Sequence, residues 1–359
     1  MKILVDLSIL RHPFCGLGQI ALSYGRWYAL HPETIAPGCE VTLLVPKDFL
    51  GAFGHNVAYL EAKNIYRFLP GLMPRFDCWH SIHQLSPFRP SSPATRRLLT
   101  IHDVNFIYEK QGAKRQRYIR RLQREVDSAA DLCFISRFAQ EDTARHIDLR
   151  GKPCHIIYNG VPDLTQGPLE APLSSPSSPF FLSIGVVKAK KNLHTLLPMM
   201  DLLPHYRLLI AGNDSDPYAQ SLRQQLAQHP NVSMLGTVSD NQRRWLYANC
   251  SALLFPSLAE GFGLPVIEAM QWGRPVFCSR LNSLPEIGSS HAYYFNDFSP
   301  LHMAETVKQG LADFNSDHAE SEKHYAATFS FQTHMQHYWQ LYTNALKGQH
   351  NPAQGLGPV

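Results

Sequence analysis

SALLFPSLAEGFGLPVIEAM, residues 251–270, changes character twice. SALLFPS reads as a short buried strand ending at Pro256-Ser257, and EGFGL holds too much glycine for regular structure. Pro265 suits the first position of a helix, where its missing N–H leaves nothing unpaired. PVIEAMQW carries that helix on until Gly273 and Pro275 stop it. The stretch is therefore strand, loop, helix, with Glu260 ahead of the loop and Glu268 in the first turn of the helix.

Working outward, the same rhythm fills the chain. KILVDL, VTLLVP, RLLTIHD, LCFIS and HIIYNG are strand candidates before residue 163, and FFLSIG, RLLIAG, NVSMLG, ALLFPS and RPVFCS after it. Helix-period segments such as YAQSLRQQLAQ separate them, which implies parallel sheets covered on both faces. DLTQGPLEAPLSSPSSPFF (163–181) is too rich in Pro and Ser to continue either element and reads as a linker. The fold class is α/β: two doubly wound, Rossmann-like domains facing across a cleft, with ligands beyond the carboxyl ends of the strands. The expected domains are 1–165 and 180–330, joined by a linker at 166–179. A C-terminal helix at 331–347 packs back on the first domain, and a flexible tail runs over 348–359.

Bulk properties narrow the function. A chain of 359 residues, 44% hydrophobic, suits roughly two cores. A net charge of +4 excludes a general polyanion binder, so no nucleic-acid partner is expected. MKILVDLSIL carries Asp6 in its middle and reads as a buried strand, not a signal peptide. No window reaches the roughly 18 apolar residues that span a bilayer. Seven scattered cysteines without a CxxC pair fit reduced thiols in a cytoplasm.

The loop at 260–264 has a chemical use. Amides at 261–264 and at the helix start are unpaired donors at a positive helix end, suited to phosphate or hydroxyl oxygens. Glycine lets a ligand approach the backbone closely. Two carboxylates accept hydrogen bonds from sugar hydroxyls, and a nucleoside-diphosphate sugar presents all of these groups together. On the letters alone another reading stands beside this one, in which Glu268 complements the helix dipole and Glu260 is solvated. A diphosphate also needs cations, and KAKKN supplies Lys188, Lys190 and Lys191 after a strand. Lysines suit a helix N-terminus poorly, a mismatch that a bound anion offsets.

The longer text from NVSMLGTVSDNQRRWLYANC through RPVFCSRLNSLPEI resembles the retaining GT-B glycosyltransferases of family four (group 1). Their E-x₇-E signature is complete at Glu260 and Glu268, and the likeness runs more weakly over nearly the whole chain, through FISRFAQED, IIYNGV and FFLSIGVVKAKKNLHTLL. The wording is most similar to bacterial mannosyl- and hexosyltransferases of surface polysaccharide. The resemblance implies that Glu268 binds the ribose hydroxyls, while Glu260 and the backbone of Gly261, Phe262, Gly263 and Leu264 hold the sugar and distal phosphate. It also sets Lys190 and Lys191 against the pyrophosphate, Lys191 with a catalytic share, and LGTVSD with Val238 against the base. His102 becomes an orienting group for the sugar or acceptor and is not a general base. Gly16 and Gly18, in a loop read from GLGQIA (16–21), let the first domain approach the donor phosphates. Val186 stands where some members carry an arginine. The expected substrates are a GDP- or UDP-linked hexose, GDP-mannose favoured, and a glycan or lipid-linked acceptor; no separate cofactor and no metal are expected.

Competing readings set the limits. GLGQIA fits G-x-G-x-x-A, but Gly16 lies too far behind the first strand, and VTLLVP ends without an acid, which argues against a dinucleotide. Asp214 and Asp216 form a D-x-D pair, a thin set for magnesium. A non-catalytic nucleotide-sugar-binding subunit and a nucleotide-sugar epimerase remain alternatives. KRQRYIRRLQREVDSAADLCF reads as a helix with Tyr118, Ile119, Leu122, Val126 and Ala129 on one arc. Lys114, Arg117, Arg120, Arg121 and Arg124 lie opposite, and Arg115 falls in the apolar arc. Such a face is either solvated or meets anionic lipid, placing the protein in the cytoplasm, peripheral on the inner face of the cell membrane.

Overall fold

A computed structural model describes residues 1–13 and 15–347 of the chain; the tail at 348–359 lies outside the described residues. They fall into two units: Met1–Tyr158 with the helix Phe331–Lys347, and Asn159–Ser330. The seam is at Tyr158/Asn159, ahead of the expected residue 165, and 166–179 groups with the second unit. Its Pro/Ser composition does make it irregular, yet the run leading into it is fastened. Leu164 is buried and its N–H donates to Gln271 Oε1 at 3.1 Å; Gln271 Nε2 donates back to the Pro162 carbonyl at 3.1 Å.

The first unit holds a parallel sheet of β1 (Lys2–Asp6), β2 (Glu40–Val45), β3 (Ala58–Glu61), β4 (Cys78–Ser81), β5 (Arg96–Ile101), β6 (Asp131–Phe134) and β7 (Cys154–Ile156), in the order β3-β2-β1-β4-β5-β6-β7. The second holds β8 (Phe180–Ile184), β9 (Arg207–Ala211), β10 (Val232–Gly236), β11 (Ala252–Phe255), β12 (Val276–Ser279) and β13 (Tyr293–Phe295), ordered β10-β9-β8-β11-β12-β13. Both orders reverse direction once, between β1 and β4 and between β8 and β11. At such a point neighbouring loops part and leave room for a ligand.

The helix Phe331–Lys347 completes the first unit's core. Phe331, Met335, Tyr338, Trp339 and Tyr342 pack among Ile3, Val5, Tyr24, Tyr28 and Leu98. Many polar groups inside this contact are paired, although the Tyr28 hydroxyl and the Trp339 indole N–H are buried without a hydrogen-bond partner among the described residues. His80 Nδ1 meets the Tyr342 hydroxyl at 2.7 Å, and His80 Nε2 meets Thr100 Oγ1 at 2.9 Å. Thr100 in turn meets Tyr338 at 2.8 Å, and Tyr24 meets His334 Nε2 at 2.8 Å. A buried polar group is tolerated in a core where it finds a partner, as His80, Thr100 and His334 do here.

Candidate functional site

In the second unit the loops after β8 and β11 flank the switch point. Lys190 and Lys191 sit in a 3-10 turn, Ala189–Lys191, that follows β8. Ser257 and Glu260 follow β11. The two loops are sewn together: the Leu258 N–H donates to the Lys190 carbonyl at 2.7 Å, and Ser257 Oγ reaches the same carbonyl at 3.2 Å. Across the gap Lys191 Nζ pairs with Glu260 Oε1, which also accepts from Ser257 Oγ at 2.6 Å. Glu260 Oε2 accepts from none of the described residues, and the Lys191 and Glu260 side chains are 16% and 14% exposed, so the pair can still meet a ligand. Lys191 also stands 4.8 Å above the Phe255 ring, and Val186 lines the same shallow depression with Gly185 and Lys191.

The glycine loop is held from behind. Ser283 Oγ lies 3.0 Å from the Glu260 carbonyl and 2.9 Å from the Phe262 carbonyl, and Asn282 Nδ2 donates to the Leu258 carbonyl at 2.6 Å. Phe262 is buried, its ring edge-on to Phe329. Gly263 caps the helix Leu264–Gln271 at φ 110°, a conformation open to glycine and strained for any other residue. The helix begins at Leu264, so Pro265 is its second residue, not its first. Glu268 accordingly lies past the first turn, in which no acid occurs. The left-handed Gly263 ends the loop one residue earlier than proline statistics suggest.

Glu268 is buried, and both of its oxygens are met by one helix, Asp240–Asn249. Arg243 donates to Oε1 and the Tyr247 hydroxyl donates to Oε2 at 2.7 Å. Residues four apart share a helix face, so the two donors converge on one carboxylate. Burial opposes the Arg243 charge, but Glu268, Tyr247 and Asp240 together outweigh it and the guanidinium holds its proton more firmly than usual. Burial, then Glu268, push the Tyr247 hydroxyl well above the ordinary range, so it stays a donor. A carboxylate has about four acceptor positions; two are filled here. Val238, half-buried, lies between β10 and this helix.

The remaining predicted residues belong to the first unit. GLGQIA is not a loop but the start of the helix Gly16–Leu30, because Cys15 Sγ caps it by accepting from the Gly18 N–H at 3.3 Å. A side chain at Gly18 would meet the His12 carbonyl oxygen at 2.2 Å, whereas Gly16 has open space. His102, after β5, is buried; Nε2 lies 2.8 Å from the Ile82 carbonyl and burial lowers its pKa to about 4. Burial outweighs that bond, which favours the charged ring, and the carbonyl fixes Nε2–H as the donor.

The D-x-D pair is spent on structure: Asp214 pairs with Arg223, and Asp216 caps the helix Pro217–Gln225 by accepting from Tyr218 N–H at 3.0 Å. Among the described residues no group of three or more His, Cys, Asp or Glu is placed to hold a metal. On the basic helix, Gly112–Ser128, Lys114, Arg117, Arg120 and Arg124 are exposed. Arg115 is exposed too, outside the apolar arc expected for it, because the helix's first turn projects past the core it covers. Arg121, expected on the solvated face, is half-buried and donates to the Leu85 carbonyl at 2.5 Å.

Sequence reasoning missed Arg243, Tyr247, Ser257 and Ser283. Only the first two left a trace, the spacing of four in RRWLY.

Comparison with known proteins places residues 170–326 in the family described as glycosyl transferases group 1. The serotype-specific mannosyltransferase WbdA of Escherichia coli is 34% identical over 176 residues, 46% of this chain and 21% of that protein, so the chain spans about a fifth of this relative's length. The O-antigen chain mannosyltransferase B of Escherichia coli is 26% identical over 324 residues, 80% of this chain and 84% of that protein. Among solved structures, sucrose-phosphate synthase from Thermosynechococcus elongatus superposes with a TM-score of 0.73 at 17% identity, covering 97% of this chain and 100% of that one. The fold is GT-B, two Rossmann-like α/β units.

Proposed function

We propose, from the premise that residues 170–326 form a group 1 glycosyl transferase domain, that the chain moves a hexose from a nucleotide-diphosphate sugar to a glycan or lipid-linked glycan acceptor. Mannose on GDP is favoured, as the mannosyltransferase names of the relatives support. The single observation that carries the reading is the Lys191–Glu260 pair bridging the switch point between β8 and β11.

In this reading Lys190 and Lys191 face the pyrophosphate and stabilise the charge that develops as it departs. Glu260 releases part of Lys191 to the phosphate and takes sugar hydroxyls on Oε2. The amides of Gly261, Phe262, Gly263 and Leu264 supply neutral donors at the helix end. Glu268, fixed by Arg243 and Tyr247, accepts from the ribose with its two unfilled positions, and Val238 borders the base. The anomeric carbon keeps its configuration: its bond to the diphosphate oxygen breaks while a bond to the acceptor hydroxyl forms on the same face, and the hydroxyl proton passes to the departing phosphate. His102, Gly16 and Gly18 take their proposed roles from the resemblance alone. The reaction is proposed to need no metal, so it proceeds in EDTA. The exposed cations of the basic helix, within 114–124, are proposed to hold the protein peripherally on the anionic inner face of the cell membrane.

A thermal-shift series with GDP, UDP and their hexose conjugates tests the donor, because a ligand of the native state raises its stability. GDP-mannose is expected to give the largest shift, lost in Glu268→Ala and in Lys190→Ala/Lys191→Ala. Unchanged donor affinity and turnover in both folded variants would overturn the reading. Tight donor binding with no hydrolysis or transfer to any acceptor would assign a non-catalytic binder instead.

A further inference from the structure

The first unit carries an apolar surface that its own core does not use. Residues 62–76, AKNIYRFLPGLMPRF, hold three cations, Lys63, Arg67 and Arg75, between Glu61, which pairs with Lys63 at 3.8 Å, and Asp77. The segment folds as two 3-10 turns, Asn64–Arg67 and Pro70–Leu72. It is anchored from beneath by Ala62, Met73 and Phe76, buried in a cluster with Trp79 and Phe88, against which Tyr66 packs. Arg11 fastens its start, donating to the Asn64 side chain at 3.2 Å and to the Ala62 carbonyl. Ile65, Phe68, Leu69 and Leu72 are left 45%, 77%, 53% and 60% exposed. Four of the thirteen exposed large hydrophobics among the described residues thus fall within eight positions.

Two further features say what this knob meets. Much of its backbone is paired within itself: the N–H groups of Tyr66, Phe68, Leu69, Leu72 and Met73 donate to carbonyls within the segment at 2.9–3.1 Å, and Pro70 has none to satisfy. A turn whose amides are paired can leave water without the penalty that unpaired amides impose. Its own cations are also turned outward: Lys63, Arg67 and Arg75 are exposed. A second copy docked here would set cation against cation.

We propose that Ile65, Phe68, Leu69 and Leu72 enter the headgroup–acyl boundary of an anionic bilayer while Lys63, Arg67 and Arg75 bind its lipid phosphates. Paired apolar insertion and cationic contact is what interfacial anchoring requires. This deepens the membrane part of the proposed function and leaves the donor site untouched, so either can fail alone.

The test uses the full chain and flotation with vesicles of phosphatidylglycerol and phosphatidylethanolamine, against phosphatidylcholine alone. The wild type is expected to float with the anionic vesicles, and Phe68→Ser/Leu72→Ser to partition at least roughly tenfold more weakly. The ligand-free thermal midpoint and circular dichroism of that variant should match the wild type, which establishes its fold whether or not the donor reading holds. Phe68→Trp should restore flotation and show quenching by brominated acyl chains. Flotation unaltered in Phe68→Ser/Leu72→Ser but lost in Arg117→Glu/Arg120→Glu would overturn the knob and leave the basic helix as the contact. No flotation of the wild type would overturn both. A concentration-dependent dimer, or capture of an acidic protein, abolished by Phe68→Ser/Leu72→Ser while flotation persists would assign the surface to a protein partner and also overturn the proposal.

Discussion

Two G-x-G stretches among the described residues lead into a helix, and only one is set among acids and cations. In the second unit Gly263 follows Glu260, which is joined to Lys191 and Ser257 and backed by Ser283. In the first unit Gly16 and Gly18 open their helix under a cysteine cap, with no acid in the first turn. Both second glycines are crowded by their own chain: a side chain at Gly263 would strike Leu284 at 2.6 Å, and one at Gly18 would strike the His12 carbonyl oxygen at 2.2 Å. The G-x-G lettering therefore marks close packing in both places. The difference lies in residues brought in from elsewhere, cations and acids in one case and backbone in the other.

The most severe way to break this comparison is to remove the charge. Glu260→Ala is expected to lower turnover by roughly 10²-fold or more in a sugar-transfer assay. Equal activity of Glu260→Ala and wild type would dissolve the distinction. Next comes the support of Glu268. Tyr247→Phe leaves a buried carboxylate oxygen without one of its donors, at about 1–3 kcal/mol, and should weaken donor affinity in calorimetry while the acceptor KM holds. Glycine substitutions sharpen the contrast within the first unit. Gly18→Ala should cost about 1–3 kcal/mol in urea unfolding through overpacking, whereas Gly16→Ala, in open space, should stay within about 0.5 kcal/mol.

The remaining contrast is in pH dependence, and it separates the units by sign. Burial lowers His83 of the first unit to about 3. Below about 6.5 the unfolded chain takes a proton that the native ring refuses, so stability falls as pH drops from there to about 3. In the second unit burial pushes Glu322 up to about 9 from an ordinary 4.5. The unfolded chain loses that proton first, so stability falls as pH rises between those values. Thermal midpoints across pH should show Glu322→Gln flattening the alkaline side and His83→Phe the acid side, each on the order of 1 kcal/mol per pH unit. A Glu322→Gln profile parallel to wild type would show that this carboxyl does not govern the alkaline limb.

How far the sequence shows this in advance depends on whether a contact is local. Apolar runs such as VTLLVP and RLLIAG announce their strands. β4, CWHS, hides because His80 and Ser81 are buried polar residues satisfied by partners far along the chain, Tyr342 and Arg97 among them. β3 is half-exposed and β13 has three residues, too little for a period to form. At the candidate site Glu260, Glu268 and the lysines stand in a readable spacing. Ser283 and the Arg243–Tyr247 pair act across loops and helices whose approach no local pattern encodes. The expected linker at 166–179 shows the converse: composition gives its irregularity but not the unit it is fastened to.

The return of the helix Phe331–Lys347 to the first unit fixes an order of events on the ribosome. Tyr338 and Tyr342, which close over His80 and Thr100, emerge only after every residue of the second unit has been made. The half that is synthesised first must therefore wait, its aromatic pocket open, while its neighbour can already be complete.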